Sequence, residues 1–232
     1  MKIKSYIILL ALTSLLFACK KDNYDEPTSK LSGKLVYKGE AIGVETFQVP
    51  YELYQFGFGK VGPIGSSFAQ DGSYSAVLFD GEYRLIIPNG QGPFIWKKTP
   101  GGSPDSMAIS VKGNQVLDLD VTPYYMIKAP QIAASGGKAN AAFKVEKIIT
   151  DANAKNIENI TLYINNTQFV SGGNNIGTAT IAGSAITDPN NIVLSVTIPS
   201  ITPAQNYVFA RIGLKVAGVE DRIFSPLVKI QF

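Results

Sequence analysis

Histidine is missing from the whole sequence, and cysteine and tryptophan occur once each, as Cys19 and Trp96. Without histidine the chain lacks the commonest general base and metal ligand at neutral pH. A single cysteine cannot close an internal disulfide. Charge is also sparse, at 17% of 232 residues. Its basic residues are scattered rather than gathered into a stripe, which argues against a nucleic-acid partner. No segment carries sustained helical periodicity, and no nucleophile elbow, phosphate loop or metal-ligand motif occurs. These absences point away from an enzyme, a cofactor and a metal site.

What is present begins with an address. Lys2 and Lys4 precede an apolar run at residues 6–17, and the small residue Ala18 follows. That is the layout of a secretory signal, and the run is too short for the roughly twenty residues a spanning helix needs. Leu16-Phe17-Ala18-Cys19 resembles the lipobox of bacterial lipoproteins. The resemblance implies cleavage before Cys19 and a diacylglycerol on its sulfur, which would also remove an unpaired thiol from an oxidising compartment. Each buried methylene contributes about 0.8 kcal/mol, so two or more acyl chains hold a protein durably on a membrane. An ordinary signal with a stray cysteine near its cleavage site is the other reading. Residues 19–29, with Lys20, Lys21, Asp22, Asp25 and Glu26, form a polar tether without apolar periodicity. The tether resembles the surface-export signal of Bacteroidetes lipoproteins, or is a plain solvated linker.

Removing residues 1–18 takes away two lysines and leaves 19 basic residues against 18 acidic ones. The roughly two hundred remaining residues suit two domains. Glycine and proline punctuate short runs of strand formers, so the expected fold is all-β, with two β-sandwiches in tandem. In the first half, strands are expected at residues 30–37, 48–55, 72–79 and 82–88, with turns at Gln70-Asp71-Gly72, Asp80-Gly81 and Pro88-Asn89-Gly90. Leu117, Leu119 and Val121 alternate with Asp118 and Asp120, giving one apolar and one wet face. Lys112-Gly113-Asn114 is expected to fold residues 107–111 back onto that strand as a hairpin. In the second half, strands are expected at residues 124–132, 139–148, 157–165, 191–199, 207–216 and 223–232. Leu194, Val196 and Ile198 share one face, as do Val208, Ala210, Ile212, Leu214 and Val216.

Several stretches resemble known domains. Ser32-Gly33-Lys34-Leu35-Val36, then Asp71-Gly72-Ser73-Tyr74, then Asp80-Gly81-Glu82-Tyr83-Arg84-Leu85 resemble the carboxypeptidase regulatory-like, or transthyretin-like, domain, which implies a non-catalytic sandwich over residues 30–123. Residues 201–207, ending in Tyr207, look like the tyrosine corner of a fibronectin type III sandwich, implying an immunoglobulin-like fold over residues 124–232 in which the Tyr207 hydroxyl bonds back to nearby backbone. The very short join implies a stiff rod. Taken together, lipobox, "NGQGPF", "VTPYYMI" and the fibronectin-like half resemble an uncharacterised two-domain lipoprotein family of Bacteroidetes polysaccharide-utilisation loci. That context implies outer-membrane display beside Sus-type transporter proteins and a part in capturing polysaccharide or oligosaccharide.

The candidate binding residues are aromatic. Residues 89–106 form a long connection in which Trp96 and Phe94 stand beside Lys97 and Lys98, an arrangement fit for stacking sugars unless Trp96 caps the core. In residues 51–65, Tyr51, Leu53 and Gln55 share one face and Glu52, Tyr54 and Phe56 the other, so one set should be core. Phe58, between Gly57 and Gly59, is either exposed at a loop tip or part of an ordinary glycine-rich turn. The Asn- and Thr-rich residues 165–191 read as turn chemistry between edge strands, and Asp188 alone is too little charge for calcium. Asp105-Ser106-Met107 resembles the pattern at which Bacteroidetes attach O-glycans, implying modification of Ser106. Asp71, Asp80 and Glu82 sit in turns and Asp118 and Asp120 on a wet face, not as the paired acids of a glycosidase. The expected function is therefore a surface-anchored, non-catalytic glycan-binding protein, with a structural or adapter subunit of the transporter complex as the alternative.

Overall fold

A computed structural model describes residues 25–57 and 60–232, so Cys19, the lipobox and Phe58 lie outside the described residues. The N-terminal half contains β1 (Ser29–Tyr37), β2 (Glu40–Ala41), β3 (Pro50–Gln55), β4 (Pro63–Ser67), β5 (Ser73–Leu78), β6 (Gly81–Ile86), β7 (Phe94–Ile95), β8 (Met107–Val111), β9 (Gln115–Val116), β10 (Leu119–Asp120) and β11 (Thr122–Pro123). β1 is the spine of one sheet. Antiparallel β5 and β2 flank it on one side, and parallel β9 and β10 on the other. The facing sheet runs β4-β3-β6-β8.

Alternation decides what lies between the sheets. Leu31 and Leu35 from β1, Tyr51 and Leu53 from β3, and Tyr83 and Leu85 from β6 are all buried. Tyr51, Phe68 and Tyr74 form a triangle with ring centroids 5.0–5.7 Å apart, the tilted and edge-on contacts that aromatic quadrupoles favour. Gly33 is required where β1 passes the 115–121 segment, since a Cβ there would lie 1.9 Å from the Leu117 carbonyl oxygen.

One expected connection is different. Lys112-Gly113-Asn114 does not close a hairpin: β8 pairs with β6, whereas β9 and β10 pair with β1 in the other sheet. Side chains hold this crossing. Asp80 accepts hydrogen bonds from the Ser29 hydroxyl and the Gly113 amide, Asn114 accepts from the Lys30 amide, and Asp118 accepts from the Lys34 amide. The local turn residues are those of a hairpin, but long-range acceptors decide where the chain goes next.

The C-terminal half contains β12 (Tyr125–Ser135), β13 (Lys138–Lys147), β14 (Ile157–Asn165), β15 (Gly177–Ala182), β16 (Ile192–Thr197), β17 (Tyr207–Val216), β18 (Arg222–Phe224) and β19 (Val228–Gln231). A sheet β12-β13-β16 faces a sheet β15-β14-β17, with β19 and β18 end to end along the far edge of β17. This is the immunoglobulin-like arrangement. Ile160, Leu162 and Ile164 face Ala141, Phe143, Leu194 and Val196 across the core, and the inward residues of β17 are those that alternation selects. Tyr207 falls on the outer face of β17. Its ring lies under Lys229 Nζ at 3.8 Å and edge-on to Phe209, and its hydroxyl has no hydrogen bond among the described residues, so the corner bond does not form.

The expected rod is modified in the same way, because the join is short but does not act alone. The N-terminal half packs on the outer face of β14, β17 and β18. The Phe224 amide donates to the Gly43 carbonyl at 2.9 Å, the Gln70 side chain donates to Gln168 O at 2.9 Å, and Lys128 forms an ion pair with Glu40. Arg211 is the centre of this seam. It is only 1% exposed, it donates from Nη1 to Val44 O and Gln70 O at 3.1 Å and from Nε to Val170 O, and its guanidinium lies 3.7 Å from the Phe224 ring centroid. Replacing Arg211 with Met keeps the bulk, takes the donor from the buried Val44 and Val170 carbonyls, and leaves Gln70 O with only the Val44 amide. Chemical denaturation of Arg211→Met should show a loss of about 2–5 kcal/mol.

Candidate functional site

A cleft of about 930 Å³ opens where the two halves meet. Residues 87–92 and 94–98 form one wall, residues 120–122 and Tyr124 the floor, and residues 152–155 and 218–219 the opposite wall. The first wall follows from its turn. Gln91 N bonds back to Pro88 O, and the next residue, Gly92, donates its amide to Asp221 Oδ2 at 2.7 Å across the seam. Gly92 has φ +83°, and a Cβ would lie 2.4 Å from the Phe94 ring, so only glycine fits there. The floor is fixed by β11 pairing with β7, Thr122 opposite Ile95 and Pro123 opposite Phe94, and by Tyr124 N bonding to Pro93 O. The opposite wall is an Asp151-based turn, in which the carboxylate accepts from the Asn153 amide.

The structure places the expected site residues apart. Trp96 and Phe94 reach the cleft but are only 6% and 4% exposed, so neither offers a face for a sugar to stack on. The reason is hydrogen bonding as well as packing. Trp96 Nε1 donates to Asp105 O at 2.8 Å, and residues 97–105 fold on themselves through Asp105 N to Lys97 O and Thr99 N to Ser103 O. The long connection is thus a short strand followed by a small arm that carries Lys97 and Lys98 outward. Ser106 is half-buried at the root of this arm, its amide bonded to its neighbour's carboxylate. Tyr54 lies outside the cleft, on the outer face of β3, where its hydroxyl donates to Glu52 Oε2 at 2.7 Å and the carboxylate raises its pKa. Phe56 follows on the same face at 59% exposure. Residues 165–191 hold turn chemistry and the edge strand β15: Asn165 bonds to Thr167 and Phe169 O, and Asn175 to Ser171 O and Gly172 O.

The side chains that the cleft does bring together are Tyr124, Lys155, Asn153, Asn89 and Gln91, together with the two exposed lysines of the arm. Sequence reasoning missed the first five. Tyr124 is half-buried, which raises its pKa, and Lys155 sits 5.9 Å from its ring centroid while donating to Gly218 O at 3.3 Å. The available signal was position: "VTPYYMI" is the junction, and clefts form preferentially between domains. Asp120 is the one carboxylate in the lining.

Asp221, behind the first wall, is buried, and that burial raises its pKa although the Gly92 amide pulls the other way. Its native form therefore binds a proton more readily than its unfolded form. Its contribution to stability is fullest below the ordinary carboxylate value of about 4 and falls as pH rises through the raised value. Thermal melts of Asp221→Asn against the unmodified protein should show that difference shifting in the variant's favour between about pH 4 and pH 7.

Comparison with known proteins places the chain. The model of the N-terminal domain of a protein of unknown function, DUF3823, matches residues 29–122, and the model of the DUF3823 C-terminal domain of unknown function matches residues 125–229. A solved DUF3823 family protein from Parabacteroides merdae is 33% identical, with a TM-score of 0.76, covering 89% of this chain and 100% of that one. One from Bacteroides ovatus is 30% identical, with a TM-score of 0.76 and coverage of 88% and 99%. A Bacteroides uniformis structure described as a candidate carbohydrate-binding protein is 20% identical, with a TM-score of 0.71 and coverage of 89% and 100%, a likeness of fold. No curated protein matches the chain. With both halves matched in order over nearly all the described residues, the chain belongs to the DUF3823 family.

Proposed function

We propose that this protein is a lipid-anchored protein of the outer membrane, displayed on the cell surface, that holds carbohydrate in the cleft between its sandwiches and does no chemistry on it. The observation that carries this reading is the cleft itself. It is at the upper end of the usual ligand-pocket size of about 300–1,000 Å³, it lies between two domains, and it combines one half-buried tyrosine with side-chain amides and amines. The likeness to a Bacteroides protein described as a candidate carbohydrate binder supports the same reading. Hydrolysis of a glycosidic bond ordinarily takes two carboxyl groups flanking it, and the lining supplies Asp120 alone. A partner transporter of the Sus type would receive what the cleft holds, and the residues 16–19 lipobox would keep the two on one membrane. O-glycosylation of Ser106 belongs to the same surface setting.

A second reading has its own observation. Phe56, Val61 and Ile64 are 59%, 43% and 42% exposed around the β3–β4 hairpin, with β4 at the sheet edge, a surface suited to protein contact. An adapter that never touches glycan would use this edge instead of the cleft.

Two experiments test the proposal. Isothermal titration of the mature chain against a panel of polysaccharides should give saturable binding that Tyr124→Ala and Asn153→Ala weaken by about tenfold, worth about 1.4 kcal/mol. Binding that these changes leave intact, or no binding at all, removes the cleft from the function. In the native host, labelled palmitate should enter the protein, and Cys19→Ser should abolish both the label and partition into detergent. An unlabelled, water-partitioning wild type refutes the anchor.

A further inference from the structure

We propose that the cleft selects acidic carbohydrate, chains carrying uronate carboxylates or sulfate esters, over neutral chains; this rests on reading the cleft as a carbohydrate site. Lys97, Lys98 and Lys155 all line it, against the single carboxylate of Asp120. None of the three has an ion-pair partner among the described residues, where the lysine bridges are Lys34 with Asp71 and Lys128 with Glu40 and Glu146. The chain that remains after residue 18 is nearly neutral overall, so a local surplus of two positive charges marks this place out.

The three amines come from separate elements. Lys97 and Lys98 project from the arm whose base is fixed by Asp105 N to Lys97 O, and Lys155 comes from the opposite wall of the C-terminal half. Lys155 is held half-buried by its bond to Gly218 O and its place over Tyr124, which leaves two of its three protons without a protein acceptor. Like charges gathered from two walls repel one another, and one carboxylate offsets only one of them. A neutral sugar supplies hydroxyls and no countercharge; a uronate or sulfate in the cleft supplies both. The side chains of Asn89, Gln91 and Asn153 have no hydrogen bonds among the described residues and are free to meet the hydroxyls.

The test compares polygalacturonate, the same polymer with its carboxyl groups reduced, dextran sulfate and dextran, by calorimetry on the mature chain. An acidic polymer should bind at least about tenfold more tightly than its neutral counterpart, with the margin shrinking at about 0.5 M salt. The Lys97→Ala/Lys98→Ala/Lys155→Met variant, checked for unchanged circular dichroism, should lose that margin. The Lys144→Ala/Lys147→Ala variant, altered on exposed β13 positions away from the cleft, should keep it. Preference for polygalacturonate or for dextran sulfate tells carboxylate from sulfate recognition, and either supports the inference. Equal binding of charged and neutral polymers overturns it and leaves the carbohydrate reading standing, as does an equal loss in both lysine variants. Failure of every polymer to bind overturns both.

Discussion

A buried guanidinium closes this molecule. Arg211 projects from the outer face of β17, where a sandwich normally meets water, and is instead sealed between the two halves with Nε and Nη1 on backbone carbonyls from both and Nη2 without an acceptor among the described residues. Taking such a charge out of water costs several kcal/mol even after relaxation. Burial accordingly lowers its pKa to about 10, with Glu45 pulling the other way. Three carbonyl acceptors and the Phe224 ring offset that cost, and no carboxylate lies within ion-pair distance of Arg211 among the described residues. The geometry is one only a flat, forked cation can satisfy.

The cleft inherits its shape from that closure. With Phe224 bridged to Gly43 and Asp221 bonded to Gly92, residues 87–92 of one half are held at a set distance from residues 218–219 of the other. Its walls are loops and its supports are strands, the usual division between a variable binding surface and a rigid frame. An interface fixed by backbone carbonyls, a buried arginine and a buried carboxylate gives the two sandwiches little reason to hinge.

Much of the fold is legible in the residues. The strands at 157–165 and 207–216 coincide with the expected runs, because alternation of apolar side chains is a local property of the sequence, whereas their burial is continuous at residues 160–165 and 210–214, where the N-terminal half covers the outer face as well. Tyr51 and Leu53 go inward and Tyr54 and Phe56 outward, as that period requires. The destination of the chain after Gly113 is not legible: the turn is compatible with a hairpin, and what diverts it are acceptors on Asp80, Asn114 and Asp118 whose donors are on β1. Trp96 shows the same limit, since a tryptophan amid lysines and glycines can be a platform or a plug until Asp105 O accepts its indole hydrogen bond. Tyr207 carries the residues of a corner, yet Lys229 across the strand pair claims its ring.

By itself, then, the sequence determined an all-β chain of two sandwiches and which side chains each strand turns inward, since these depend on neighbours one or two positions away. Only the tertiary structure decided that Arg211 would be a buried clasp, that the lone tryptophan would be core, and that Tyr124 and Lys155 would share a cleft with Lys97 and Lys98. Those outcomes depend on groups brought together from distant parts of the chain, and a contact made by closing a long loop leaves no periodic trace in the residues that make it.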